Sequence, residues 1–541
     1  MAAEPGIQYQ GKARKVAKTK RCGMCAALLL ALTSITGLGA AKREAWVWLP
    51  SRMASDAEYD KVTNIITRAA ACGYTSVVFG SGEDIYWRPE SASRIRRTDS
   101  LAKGLGLEII PSIWSMGYGG TVTYADPDVI ESTPMRGLRY RVNGTAARYV
   151  PDEIVTGYEG RVVTNSVGLK LTDRLKPHHT YRLTCRVKTE NVSPVKYYSV
   201  RGNIFHGDID RGEKKEWELY DFIVKSTQDW KEYEWEFNTY GTSDIKITMG
   251  LNKSRVTGTV LIDSIRVEDR PLTRCLTSER WMRPVVRSAA SGRVYVEGRD
   301  YRPFPKMKSF RSGGAIAIEI VPGGAIADGE ELLVDAHVPA IQGAKQFSVC
   351  PSAAGLKAYW RKTAREIDAL LHPRRWFFTV DEWRVANRCE KCRARKVSPG
   401  RLMGESIAEM AAVVREVNPK AEVCAWADMF CPLENAGRNP YYCVDGSMLD
   451  SWEYLPKDLI MVPWMNGRDD AKSTKWLMEH GFRCIAGGYY NYPDFSRDIR
   501  WRDACKDDPK FLGMMFTTWG GVWGDGGYYK LEEYADMVFE R

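Results

Sequence analysis

The feature that most constrains this chain is a change of rhythm. Short apolar runs alternate with helical patterns at both ends, and between them lies a long stretch of strands alone. Near the start, Ala45-Trp46-Val47-Trp48-Leu49-Pro50 reads as a strand, and residues 54–72 carry Val62, Ile65, Ile66 and Ala69 at helical spacing. Residues 76–80, a helix near 93–103 and residues 107–114 continue the alternation. The pattern resumes with strand candidates at 376–382, 421–426, 459–464, 483–490 and 511–519, and with helices near 354–371 and 404–417. Three strands before the interruption and five after it make eight, the number a (β/α)8 TIM barrel needs for a closed parallel sheet covered by helices.

From about Thr121 the chain changes to alternating strands such as 182–187, 232–237 and 260–267, separated by Gly, Asn and Asp turns. That pattern predicts an all-β jelly-roll sandwich inserted in the third βα loop. The expected division is a signal peptide over 1–41, a first part of the barrel over 42–124 and an inserted sandwich over 125–275. A β-rich connecting segment over 276–344 and a second part of the barrel with the catalytic residues over 345–541 complete it. A chain of 541 residues exceeds what one core can hold, which agrees with more than one domain.

Residues 1–41 hold six Lys and Arg against one acid, then a short apolar run and Gly39-Ala40-Ala41, which reads as an export signal. The run is shorter than the roughly 20 residues a membrane span needs, so an exported, periplasmic or extracellular protein with no stable span after processing is expected. Without that stretch the net charge falls from +10 to +5, which argues against a nucleic-acid partner. Of the thirteen cysteines, Cys22 and Cys25 would leave with the signal, and the odd remainder leaves at least one thiol unpaired.

In such barrels chemistry sits where strands end. Those ends hold Trp48, Trp114, Asp381 with Glu382, Trp426 with Asp428, Trp464 with Asn466, Tyr489, and Trp519 with Trp523 just beyond. Aromatic faces interleaved with acids and amides suit a carbohydrate, which presents apolar ring faces and directional hydroxyls. Cleaving a glycosidic bond requires a proton for the leaving oxygen and a second group at the developing cation, so the adjacent Asp381 and Glu382 are the catalytic candidates. Arg384 is placed to pair with a carboxylate of the site or with an acidic sugar. Cys389-Glu390-Lys391-Cys392 reads as half of a zinc site completed by Cys431 and Cys443, or as loop-fastening disulfides, the expectation for an exported protein. No catalytic metal, nucleotide loop or other cofactor is expected.

The stretches "FFTVDEWRVANRCEKC" and "VCAWADMFCPLENA" resemble the glycoside hydrolase family 20-like barrels, the β-N-acetylhexosaminidase superfamily, and within it bacterial members with a cysteine pair just after the Asp-Glu. The resemblance implies that Glu382 is the general acid and that Asp381 orients and polarises a substrate 2-acetamido group, itself the nucleophile. The family's His-x-Gly-Gly before the Asp-Glu is absent, Val380 standing in its last position. A conventional retaining mechanism with Asp428 as nucleophile is therefore the alternative, and a non-catalytic carbohydrate-binding protein on a degenerate barrel is the rival from another class. Residues 169–268 resemble the jelly-roll carbohydrate-binding modules attached to many glycosidases.

Overall fold

The computed structural model describes residues 43–541 apart from 119, 153, 195–203, 213–215, 252–255, 278, 280–281, 308–312, 342–345, 381, 465–469, 490–493, 519–526 and 540–541. The expected signal segment lies outside the described residues, and among these no helix is long and apolar enough to cross a membrane.

Eight parallel strands close into a barrel in chain order: β1 (Glu44–Leu49), β2 (Ser76–Phe79), β3 (Glu108–Ser115), β4 (Arg375–Val380), β5 (Glu422–Trp426), β6 (Ile460–Val462), β7 (Arg483–Tyr489) and β8 (Phe511–Thr517). Helices α1 (Asp56–Ala71), α2 (Pro89–Gly104), α3 (Leu356–Leu371), α4 (Pro399–Val417), α5 (Asp470–Glu479), α6 (Ser496–Cys505) and α7 (Leu531–Val538) cover it. Local chemistry starts the longer helices: the Ser55 side chain accepts the Glu58 N–H ahead of α1, and Ser398 accepts the Arg401 N–H ahead of α4, with Pro399 in the first turn. After β5 the chain makes two 3₁₀ turns, Asn435–Gly437 and Ser451–Tyr454, in place of a covering helix.

The period of two along each strand sends alternate residues inward. Trp46, Trp48, Val78, Ile110, Phe377, Cys424, Trp426, Ile460, Val462, Ile485 and Met515 fill the barrel, while Val47, Val77, Ile109, Phe378 and Val423 face the helices. At the N-terminal end of the strands the Arg375 guanidinium is buried over the Trp46 ring, 5.2 Å from its centroid. It pairs with Glu44, with Glu108 at 3.3 Å and with Glu422 at 3.2 Å, one acid from each of three other strands.

Between β3 and α3 the chain builds three further sheets. Two antiparallel sheets, of four and five strands, share one core that includes Leu183, Phe205, Trp235, Ile247 and Ile262, which is a β-sandwich. The third sheet joins Ser132–Asn143, the strand leaving the barrel, to Glu331–Pro339, the strand returning to it, through antiparallel pairing. The sandwich lies against the barrel loops: Tyr240 receives the Arg388 guanidinium over its ring at 4.1 Å, and Arg211 reaches Cys443 Sγ at 3.5 Å.

Candidate active site

A backbone distortion sets the site up. Val380, the last residue of β4, has φ of +36°, a left-handed conformation that costs a β-branched residue on the order of 1–3 kcal/mol. Its carbonyl accepts the N–H groups of Met116 (3.1 Å) and Gly117 (2.9 Å) in the loop after β3. The Gln346 amide then donates to both Gly117 O (3.0 Å) and Glu382 O (3.1 Å), stitching that loop to the one after β4. A Cβ on Gly117 would stand 2.3 Å from the Glu382 carbonyl oxygen, so this approach requires glycine. If Glu382 is a reacting group, Gly117→Ala, which pushes it aside, is expected to lower kcat about a hundredfold, the size of effect a shift near 1 Å can have. Steady-state kinetics on folded variant protein checks this, and wild-type kinetics would show that the position of Glu382 is not critical.

The Glu382 side chain keeps 21% of its surface exposed. Its Oε2 accepts a hydrogen bond from the Tyr118 hydroxyl at 3.0 Å and is paired with Arg384. The Arg384 guanidinium lies over the Tyr442 ring at 4.5 Å. Burial works against its charge, but the Glu382 carboxylate and the neighbouring Tyr118, Tyr442 and Tyr441 hydroxyls together outweigh it and hold Arg384 above its ordinary pKa. Residues Val385–Ala386 pair in parallel with Cys443–Val444, which brings Tyr441 and Tyr442 to Glu382.

Asp428, two residues past β5, is buried at 1% exposure. Burial, and next the charge of Glu382, push its carboxyl up to about 6, although hydrogen bonds from Asn435 (2.7 Å) and Trp464 pull the other way. The floor beside this pair is aromatic: Trp48, Phe377 and Trp426 make mutual ring contacts at 5.0–5.6 Å, and Trp464 packs on the same cluster. Tyr441 is buried and senses the charges of both Glu382 and Asp428, and these, after burial itself, hold its hydroxyl well above its usual pKa.

A cleft of about 980 Å³ opens over the ends of β1, β2 and β3, lined by Trp48, Ser112, Ser115, Tyr118 and Thr379 among others. Glu382 borders this cleft through Tyr118 rather than lining it. Within it stands Glu83, whose carboxyl burial raises to about 7 against hydrogen bonds that include the Tyr359 hydroxyl at 3.3 Å.

The expected residues therefore divide. Trp48, Glu382, Arg384, Trp426, Asp428 and Trp464 come together. Trp114 does not: at φ +53° it turns out of the barrel, donates its indole N–H to Thr363 on α3 at 2.9 Å and packs against Trp360 and Phe378. Tyr489 packs half-buried against that same outer core. Asp381, Asn466, Trp519 and Trp523 lie outside the described residues. The disulfide expectation is corrected: all eleven described cysteines are unbonded, and Cys389 and Cys392 gather with Cys350 rather than with Cys431 and Cys443. Tyr118, Glu83 and Tyr441 join the site unforeseen. Glu83 had a mark of the right kind, an acidic pair straight after two glycines just past a strand in Gly80-Ser81-Gly82-Glu83-Asp84.

No family model and no curated protein matches the chain. Among solved structures it is similar to a Flavobacterium johnsoniae chitobiase, at 10% identity and TM-score 0.40, over 92% of this chain and 48% of that one. It is similar also to the GH20 exo-β-N-acetylglucosaminidase of Vibrio harveyi, solved with N-acetylglucosamine, at 10% identity and TM-score 0.41, over 93% and 55%. About a quarter of it, 25%, is similar to the CBM22-1 xylan-binding domain of Paenibacillus barcinonensis Xyn10C, at 11% identity and TM-score 0.16, over 96% of that domain. The chain spans about half the length of the first two. The architecture rests on the chain's own strand order and cores: it is a (β/α)8 barrel with an inserted β-sandwich.

Proposed function

We propose that the chain is a glycoside hydrolase working at the mouth of its barrel, with Glu382 as the general acid and Asp428 as a positioning residue that keeps a proton within its reach. The observation that carries this reading is the coupling of two carboxyls at the ends of neighbouring strands, one paired with Arg384 and the other raised to about 6. Asp428 therefore keeps its proton up to about pH 6 beside the Arg384-paired Glu382, two carboxyls set in unlike surroundings as glycoside cleavage needs. In the reaction Glu382 gives its proton to the glycosidic oxygen as the C–O bond breaks, and positive charge grows at the anomeric carbon. Trp48, which lines the cleft, offers its ring to the sugar, and Trp426 packs behind it.

A nucleophile must be ionised and within reach of that carbon. Asp428, buried, hydrogen-bonded and raised, meets neither condition well. This favours the substrate's own 2-acetamido group as nucleophile, with Asp381 as its polariser, and so an exo-acting β-N-acetylhexosaminidase. If residues 1–41 direct export, the substrate is a glycan outside the cytoplasm.

The test is release of 4-nitrophenol from a panel of aryl glycosides that includes the N-acetylglucosaminide and N-acetylgalactosaminide. Turnover of an N-acetyl substrate supports the full reading, and turnover of another glycoside alone keeps the glycosidase and rejects the acetamido mechanism. Binding of sugars without turnover of any panel member or oligosaccharide favours the non-catalytic rival. The upper limb of kcat/KM is expected to fall above about pH 6, where Asp428 loses its proton. In Asp428→Asn, which cannot ionise, that limb should leave its place near pH 6. An unmoved limb would separate Asp428 from the proton that does the chemistry.

A further inference from the structure

Away from the acid pair, four buried side chains from three separate segments converge: Glu131, Cys350, Cys389 and Cys392, whose ligand atoms all lie within 4.8 Å of one another. Cys350 Sγ stands 3.6 Å from both Cys389 Sγ and Cys392 Sγ. A disulfide brings two sulfurs to about 2.05 Å and leaves a third out. Two sulfur–sulfur gaps of 3.6 Å, with the third inside 4.8 Å, match instead the edge of a tetrahedron around zinc, about 3.8 Å for Zn–S bonds of about 2.3 Å. Glu131 Oε2, at 3.8 Å from Cys392 Sγ, supplies the fourth corner.

The surroundings are those of a held ligand set. Glu131 Oε1 accepts the backbone N–H groups of Arg388 (2.6 Å) and Cys389 (2.9 Å), which leaves Oε2 turned to the thiols. Cys389 Sγ accepts the Cys392 N–H at 3.2 Å, and the Ser352 hydroxyl lies 3.2 Å from Cys392 Sγ, so the sulfurs have partners suited to thiolates. Glu131 and all three cysteines have essentially no exposed surface, and among the described residues no side-chain cation is bonded to Glu131. A buried carboxylate among thiols is short of positive charge, and a divalent ion supplies it.

We propose that Glu131, Cys350, Cys389 and Cys392 form a structural zinc site that clasps the neck of the β insertion to the loop after β4. Glu131 stands where the chain leaves the barrel and Cys350 where it returns, and their neighbours Ile130 and Val349 form an antiparallel bridge. Cys389 and Cys392 belong to the loop that begins with Glu382. A four-coordinate set of three thiolates and one carboxylate leaves no open position, so the ion serves the fold and not the chemistry. The site stands whether or not the barrel cleaves glycosides.

The test is metal analysis of full-length protein purified without chelators, with cobalt uptake as a second readout. About one zinc per chain is expected, retained through gel filtration. Cobalt-loaded protein should show thiolate-to-metal charge-transfer absorption and the intense visible bands of a tetrahedral ion. The Cys350→Ser/Cys392→Ser variant should lose both, and Glu131→Gln should keep cobalt with an altered visible spectrum and weaker affinity. Because the cysteine variant has its own risk of misfolding, the wild type decides. Wild-type protein that holds no stoichiometric zinc and takes up no cobalt overturns the proposal, whether mapping then finds three thiols or a disulfide.

Discussion

Glu382→Gln is expected to lower kcat by about 10²–10⁴-fold while leaving KM within a few-fold of wild type. The substitution keeps the shape of the side chain. A glutamine oxygen still accepts the Tyr118 hydroxyl and the Arg384 guanidinium, so the two partners stay where Glu382 holds them now. Only the charge and the transferable proton go. A general acid acts chiefly in the transition state, which is why the loss should fall on kcat rather than on binding. The magnitude should also depend on the leaving group. A dinitrophenolate departs with little protonation, so the variant should recover most of its rate on a dinitrophenyl glycoside and almost none on an alkyl glycoside. Equal losses on both would make Glu382 a binding or structural carboxylate, and undiminished activity on the alkyl substrate would remove it from the mechanism altogether.

The barrel was legible in the sequence because its strands are short apolar runs buried on both faces, and such runs stand out whatever surrounds them. Glu382, Arg384, Trp426 and Asp428 were legible for the same reason, since each lies within a few residues of a strand end. Trp114 occupied an equivalent place and went elsewhere. Its positive φ reverses the side that alternation assigns, and no residue type in Ile113-Trp114-Ser115 announces that turn. Tyr118 and Gln346 reach Glu382 across 264 and 36 positions through loops whose path depends on tertiary contacts. The cysteines show the same limit more sharply. The Cys-x-x-Cys pair was visible, but its partners Glu131 and Cys350 flank an insertion of about two hundred residues, and only the meeting of its two ends reveals them.

The base of the barrel offers the largest expected effect on stability. Arg375→Met should cost about 3 kcal/mol or more, seen as a lower urea midpoint of the barrel's tryptophan fluorescence, because removing one partner of a buried ion pair strands the others. The stranding is uneven. Glu108 keeps Arg374, and Glu422 keeps Arg374 at 2.9 Å and Arg483 at 2.8 Å. Among the described residues Glu44 retains the Trp46 indole and the Thr75 hydroxyl, both at 2.9 Å. In the native protein burial pushes the Glu44 carboxyl up, but the Arg375 hydrogen bond and charge overrule it and leave the group below its ordinary pKa of 4.5. Its contribution is therefore present above pH 4.5 and is lost as pH falls through the lowered folded value. Without Arg375 only the Trp46 and Thr75 hydrogen bonds oppose burial, so the Glu44 value rises and its ionisation no longer favours folding as it did. The deficit of the variant should accordingly be greatest near neutral pH and shrink as the medium is brought toward pH 4. Arg375→Lys, which restores charge but not the three-way fork, should recover part of the loss. A deficit of the same size at both pH values would trace the damage to lost packing over Trp46 instead of to an uncompensated carboxylate.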